Sequence, residues 1–224
     1  MMQPSPANDP TPLASASLPR VANSAFGVLQ GPAPSILTSR DNTVALRAAN
    51  RGDAGIFWRY SPNNLDDSHS SSIDHNKYQP IVAPSREWLE HVLEKIEQSF
   101  TLSPPPQVLW KWMVVNDQAE IVGAVDLSPV SRSGGDTFLI GVEIFPDYQR
   151  RGYARKAFES LIDWAKSTGQ VREIQGLCHP DNKASSGLME GVGMELTGRT
   201  HSAYFPCMQS PQRADMVELS IKFS

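Results

Sequence analysis

One stretch limits the possible folds more than any other: an apolar strand, a proline turn, and a glycine that opens an amphipathic helix. Thr137 to Phe145 reads as a strand with a single acidic residue, Glu143. Pro146 interrupts it, because proline cannot donate to a sheet ladder. Gln149-Arg150-Arg151-Gly152-Tyr153-Ala154 follows. Ala154, Ala157, Phe158, Leu161, Ile162 and Ala165 then recur at the helical period as far as Ser167. Gly169 stands where a C′ glycine ends a helix. The sequence therefore predicts a strand, a tight loop, and a helix from about Gly152 to Ser167.

The loop has the character of an anion site. The first N–H groups of a helix have no partner within it, and the helix dipole adds positive potential there. Gly152 has no Cβ, so an anion can approach the backbone closely. Arg150, Arg151, Arg155 and Lys156 add formal positive charge. Basic residues in a first turn oppose the dipole, a tension that a bound anion relieves. A diphosphate fits this description better than one carboxylate. A plain helix start with a basic turn is the other reading of the same residues.

The rest of the chain supplies mixed connections. Thr43 to Arg47 reads as a strand. Asn50 is placed to cap a helix from Arg51 that holds Ile56, Phe57 and Tyr60 and stops at Pro62. Ser85 caps a second helix with an apolar face of Trp88, Leu89, Val92, Leu93, Ile96 and Phe100. Val108 to Val115 and Ile121 to Leu127 form a hairpin around Asn116-Asp117. Glu173 to Cys178 is a short strand, Asn182 to Glu190 a helix, and Met194 to Arg199 and Met216 to Phe223 the last strands. Ser202 to Arg213 reads as a loop. Hairpins combined with crossover helices imply a mixed sheet, hence an α/β (α+β) fold.

Composition excludes more than it selects. A net charge of −4 over 224 residues points to neither nucleic acid nor membrane. No apolar run approaches the roughly 20 residues of a membrane-spanning helix, and no secretory signal is evident. Cys178 and Cys207 lack metal-ligand spacing and form no disulfide framework, which suggests a reducing, cytoplasmic setting. Residues 1–35 are rich in Pro, Ala and Ser and read as a disordered tail before a domain over 36–224. His69 and His75, among Asp66, Asp67 and Asp74, read as a solvated loop with no metal expected.

Two motifs carry a resemblance. Gln149-x-x-Gly152-x-Ala154 resembles the acetyl-CoA signature of the GNAT superfamily. Asn182-Lys-Ala-Ser185, followed by Glu190-Gly-Val-Gly193-Met194, resembles the family's second motif at the expected distance. The opening strand with Asn50-Arg-Gly-Asp53, and the close at Asp215 to Ser220, look most like the branch containing ribosomal-protein N-terminal acetyltransferases. The resemblance implies a single GNAT-like domain with a mixed, mostly antiparallel sheet and helices on both faces. It also implies acetyl-CoA as co-substrate. The pantetheine arm would enter where the strand with Val142, Glu143 and Ile144 splays from its neighbour. The diphosphate would rest on the amides of Gln149, Arg150, Arg151, Gly152, Tyr153 and Ala154. Asn182 and Ser185 would approach the pantetheine and thioester.

The implied reaction is direct attack of an amine on the thioester, with the amide near Ile144 as oxyanion donor. Glu143 is the candidate base or water relay, and Ser185 a candidate proton donor. Met189 departs from the pattern, because many relatives have a Tyr there to protonate the thiolate. An α-amine with a pKa near 8 is roughly one-tenth neutral at pH 7, whereas a Lys amine near 10.4 is neutral in well under a thousandth. The expected acceptor is therefore a small amine or a peptide N-terminus, on a monomer or homodimer, with no nucleic acid or membrane partner. A CoA-binding module without turnover is the alternative, supported by Met189. His179 could lie near the thioester or be a hydrogen-bonded surface residue.

Overall fold

The computed structural model describes residues 33–61, 83–101, 109–130, 136–205 and 212–223. The expected tail, the His69–His75 loop and Cys207 lie outside these, apart from Ala33, Pro34 and Ser35. Eight strands form one sheet: β1 (Ile36–Thr38), β2 (Val44–Ala48), β3 (Trp110–Asn116), β4 (Ile121–Pro129), β5 (Thr137–Ile144), β6 (Glu173–Cys178), β7 (Glu195–Phe205) and β8 (Gln212–Lys222). Their order is β1-β2-β3-β4-β5-β6-β8-β7. The helices are α1 (Ala54–Arg59), α2 (Arg86–Ser99), α3 (Tyr153–Thr168) and α4 (Lys183–Gly191).

Neighbouring strands pair antiparallel except β5 and β6, which α3 connects by a crossover. The buried face carries Trp110, Trp112, Val114, Val125, Phe138 and Ile174. Helix α3 covers it, with Trp164 edge-on to both Trp110 and Trp112. Helix α1 lies against the opposite face, where Phe57 meets Lys111. The predicted sheet with helices on both faces is thus present.

Local capping follows the sequence closely. The Asn50 side chain accepts from the Gly52 amide at 2.9 Å, and Asp53 accepts from the Asn50 amide at 2.9 Å. Arg47 holds Asp53 through two bonds of 2.9 and 2.6 Å. The predicted helix at Arg51 begins as a 3-10 turn over Arg51–Asp53, and α1 proper starts at Ala54. Ser85 caps α2 by accepting from the Trp88 amide at 3.2 Å.

Three expectations change. Strand β1 was not anticipated, because Ile36–Thr38 is short and half exposed. It is held by Ala48, whose amide donates to the Ser35 carbonyl at 2.7 Å, and by Trp112, whose Nε1 donates to the Pro34 carbonyl at 2.8 Å. Ala33 is buried beside it. Of the expected Ser202–Arg213 loop, Ser202 to Phe205 belong instead to β7 and Gln212 and Arg213 to β8, while 206–211 lie outside the described residues. Finally, both of these strands run to 11 residues, far past the apolar segments that signalled them.

The β7–β8 hairpin is locked by one buried carboxylate. Glu218 is 1 % exposed and is held by Arg199 and by the His201 ring at 2.7 Å. Burial pushes its carboxyl up, but the bonds from His201 and Arg199 outweigh burial and leave it below its ordinary range. A carboxyl depressed in the folded state stabilises fully above its unfolded pKa and loses that stabilisation as pH falls through the folded value. Glu218→Gln should therefore lower the urea midpoint at pH 7, by the equivalent of up to about 1 kcal/mol, since the Arg199 and His201 ends of these bonds are half exposed and screened by solvent. The gap from the parent should narrow below about pH 4, where a glutamate is largely protonated even without the cluster.

A second packing constraint lies between β4 and β5. A Cβ at Gly123 would run into the Glu143 carbonyl oxygen and come within 2.9 Å of the Ile144 Cα. Backbone cannot yield as a side chain end does. Gly123→Ala is expected to cost about 1–3 kcal/mol in urea unfolding, the range for overpacking.

Candidate functional site

The site grows from the point where β5 and β6 part. Their register ends at Ile140↔Gly176, although β5 continues to Ile144 and β6 to Cys178. Beyond that point β5 stays paired with β4 as far as Gly123↔Ile144. The Phe145 amide donates to the Val122 carbonyl at 2.9 Å. By the alternation of antiparallel bonds, Glu143 and Gly141 also turn their backbone groups to β4. Val142 and Ile144 turn theirs the other way, into the gap.

The loop after β5 is braced on both sides. Tyr60 stacks on Phe145 at 4.3 Å between centroids and 13°, and Phe57 meets Phe145 edge-on at 6.2 Å. The Tyr60 hydroxyl donates to Asp147 at 3.3 Å. Burial, then the Asp147 charge, raises the Tyr60 phenol above its usual range, so it remains a donor. The Gln149 side chain donates to the Ile144 carbonyl at 2.9 Å, which ties the signature loop to the end of the strand. Arg150 and Gly152 both take left-handed conformations, with φ of 60° and 82°. No heavy atom lies within 4 Å of a Cβ placed on Gly152. Helix α3 begins there without a side-chain cap. Arg150, Arg151 and Gly152 are exposed, and Tyr153 and Ala154 half-buried.

Across the gap, β6 runs into α4. The Asn182 side chain accepts from the Ser185 amide at 3.1 Å, so its oxygen serves as the α4 cap. Burial pushes the Cys178 thiol up, and the neighbouring Ser185 side chain opposes that shift. Met189 is buried, and its sulfur occupies the space a Gly176 side chain would need. His179 is also buried, with its ring edge-on to Phe205 at 5.1 Å and Nδ1 accepting from the Asp181 amide at 3.1 Å. The surface alternative for His179 does not hold. Tyr204 lies exposed in β7.

The two candidate catalytic side chains stand on opposite faces of the sheet. Cys178 shares the apolar face with Gly176, so Ser185 approaches from the α3–α4 side. Glu143 shares its face with Gly141, and in the next strands with Asp126 and Lys111. Lys111 meets Asp126 at 3.0 Å and lies 5.3 Å from the Phe57 ring centroid. Burial opposes its charge, but Asp126 and Glu143 prevail and hold it more firmly protonated than a free lysine. Sequence reasoning missed Tyr60, Lys111 and Asp126 as contributors to the site. Asp126 carried the same signal as Glu143, an acid alone in an apolar strand. Lys111 carried its signal in the alternation Trp110-Lys-Trp112. Among the described residues no His, Cys, Asp and Glu group could hold a metal. No described helix is long and apolar enough to cross a membrane.

Known proteins resemble this chain in part of its sequence and in its fold. An uncharacterized N-acetyltransferase of Bacillus subtilis, YnaD, is 31 % identical over 65 residues, which spans 29 % of this chain and 38 % of that protein. The ribosomal-protein-S5-alanine acetyltransferase of Vibrio fischeri superposes with a TM-score of 0.61 at 19 % identity, covering 80 % of this chain and 93 % of the other. The spermidine N-acetyltransferase of Vibrio cholerae, in complex with CoA and spermine, superposes at 0.61 with 18 % identity, covering 80 % and 95 %. The profile of the acetyltransferase (GNAT) domain matches residues 43–195, most of the described fold and all of the β5–α4 region. The chain belongs to the GNAT acetyltransferase family.

Proposed function

We propose that the protein is an N-acetyltransferase that moves the acetyl group of acetyl-CoA to a primary amine by direct attack in a ternary complex. The observation that carries this reading is the early end of β5–β6 pairing beside an uncapped helix start. The residues present fit the co-substrate. The open, left-handed Gly152 and the first amides of α3 suit a diphosphate, and Arg150 and Arg151 add charge beside them. The backbone groups of Val142 and the Ile144 amide suit an extended amide chain lying in the gap, while the Ile144 carbonyl holds Gln149. Asn182 and Ser185 border its far side.

Bound acetyl-CoA supplies an acyl carbon open to attack and a thiolate that can leave. The residues of this chain supply the rest. Glu143, on the α1 face, accepts the proton that the acceptor ammonium must lose, directly or through water. The Ile144 amide donates to the carbonyl oxygen as charge builds there. The attacking nitrogen gives up its second proton as the intermediate collapses, and Ser185 or water relays a proton to the departing sulfur. One C–N bond forms, one C–S bond breaks, and one proton is released to solvent. Met189 is committed to packing on Gly176 and supplies none. We assign the catalytic domain to residues 36–224 and the protein to the cytoplasm, where Cys178 stays reduced. An α-amine or small amine of modest pKa is the acceptor class, since this site has no tyrosine acid at Met189.

Thiol release from acetyl-CoA over a panel of amines and peptide N-termini, run beside calorimetric titration of acetyl-CoA, tests the reading. Amine-dependent release supports it. Binding without release would favour the non-catalytic CoA module, and absence of binding would reject the co-substrate assignment. Gly152→Val is expected to weaken acetyl-CoA at least about tenfold, because a branched residue resists a left-handed conformation. Glu143→Gln is expected to lower kcat/KM by about 10²–10⁴ while the acetyl-CoA Kd stays within a few-fold.

A further inference from the structure

Lys111, Asp126 and Gly141 are register neighbours across β3, β4 and β5, in a row on the face that carries Glu143. Only 18 % of the Lys111 side chain and 24 % of the Asp126 side chain remain exposed. Their contact is 3.0 Å, and the Phe57 ring of α1 covers the ammonium at 5.3 Å. The row is shaped around this pair. A Cβ at Gly141 would lie 2.8 Å from an Asp126 carboxylate oxygen, so a glycine leaves the room in which the carboxylate sits. Glu143 stands one step further along the same face and adds a second negative charge to the field on the ammonium.

Two carboxylates near an amine-accepting gap would draw in a second cationic group of the acceptor, because a partly dehydrated cleft of one sign concentrates the opposite charge. Here a lysine of the chain itself already sits against one of them. It cancels one of the two charges and fixes the carboxylate it touches. We propose that Lys111 sets the charge class of the acceptor: its ammonium takes the place beside Asp126 that the second ammonium of a polyamine would need, so the cleft favours acceptors with one cationic amine over polycations. This rests on the reading of the protein as an amine acetyltransferase. It adds a specificity-determining residue that does not itself touch the reacting atoms.

The test is kcat/KM for a series of primary amines carrying one, two, three and four amino groups, at fixed ionic strength. For the unaltered protein the value should not rise with the number of amino groups. In Lys111→Met the ratio of triamine to monoamine should rise at least about tenfold, since removing a like charge relieves a repulsion worth that much or more. In Lys111→Arg, which keeps the charge, the ratio should stay near that of the unaltered protein. A folded Lys111→Met with an unchanged ratio overturns the proposal. So does a steep rise with amine number in the unaltered protein, a measurement that stands even if the methionine variant fails to fold. Acetyl-CoA binding with no release for any amine would instead overturn the acetyltransferase reading itself, and this proposal with it.

Discussion

Everything functional in this fold depends on a sheet that does not finish one of its ladders. Six of the seven neighbouring strand pairs are antiparallel. The β5–β6 pair is parallel because α3 returns the chain to the same end of the sheet, and it is held for only four register positions, from Thr137↔Glu173 to Ile140↔Gly176. Backbone groups normally find partners when removed from water. A strand that leaves its neighbour while still pointing polar groups toward it offers a row of positions to another extended chain. Because the parting occurs in mid-sheet, that row lies inside the molecule rather than on an outer edge.

The parting persists because each strand is drawn to its other neighbour. On one side, the close approach of Gly123 to the Glu143 backbone lets β4 hold β5 to its end, and the Phe145 ring is gripped between Phe57 and Tyr60. On the other, β8 pairs with β6 through Cys178↔Val217, and His179 turns inward against Phe205. Each bank also carries a charge cluster, the largely buried Lys111 and Asp126 on one, and on the other the buried Glu218 with the half-exposed Arg199 and His201. Such clusters add little net stability by themselves. Their effect is positional: they fix side chains that an apolar bank would leave free to repack.

The sequence was most legible where one residue could satisfy one physical need. Gly152 opened a helix start to close approach, and Asn50 and Ser85 stood where the turns that follow them need a cap. The second half of β7 and the beginning of β8 were invisible because Thr200 to Ser202, and Gln212, Arg213 and Asp215, are polar and exposed, so alternation was never expressed. β1 was missed for its length. At the site, the loop and Glu143 could be read from local pattern, but the pairing of Lys111 with Asp126 and the bracing by Tyr60 join residues far apart in the chain. Contacts of that kind are set by register and packing, which no local window contains. The same limit explains His179, whose burial depends on a strand end that sequence reading left as loop.

The strand order also sets a schedule. β3–β4 and β7–β8 are hairpins, which close within microseconds because little chain entropy is lost. β5 meets β6 only after α3 has formed and docked, and β6 lies beside β8 rather than beside β7, its nearer strand in the chain. The second bank is therefore a hairpin that borders β6 through β8, with β7 outside it. Without that hairpin, β6 would be an open edge. The second wall of the cleft thus depends on non-local pairing, from Glu173↔Lys222 to Cys178↔Val217, so damage to the β7–β8 hairpin would reach the site by slowing that pairing as well as by altering its geometry.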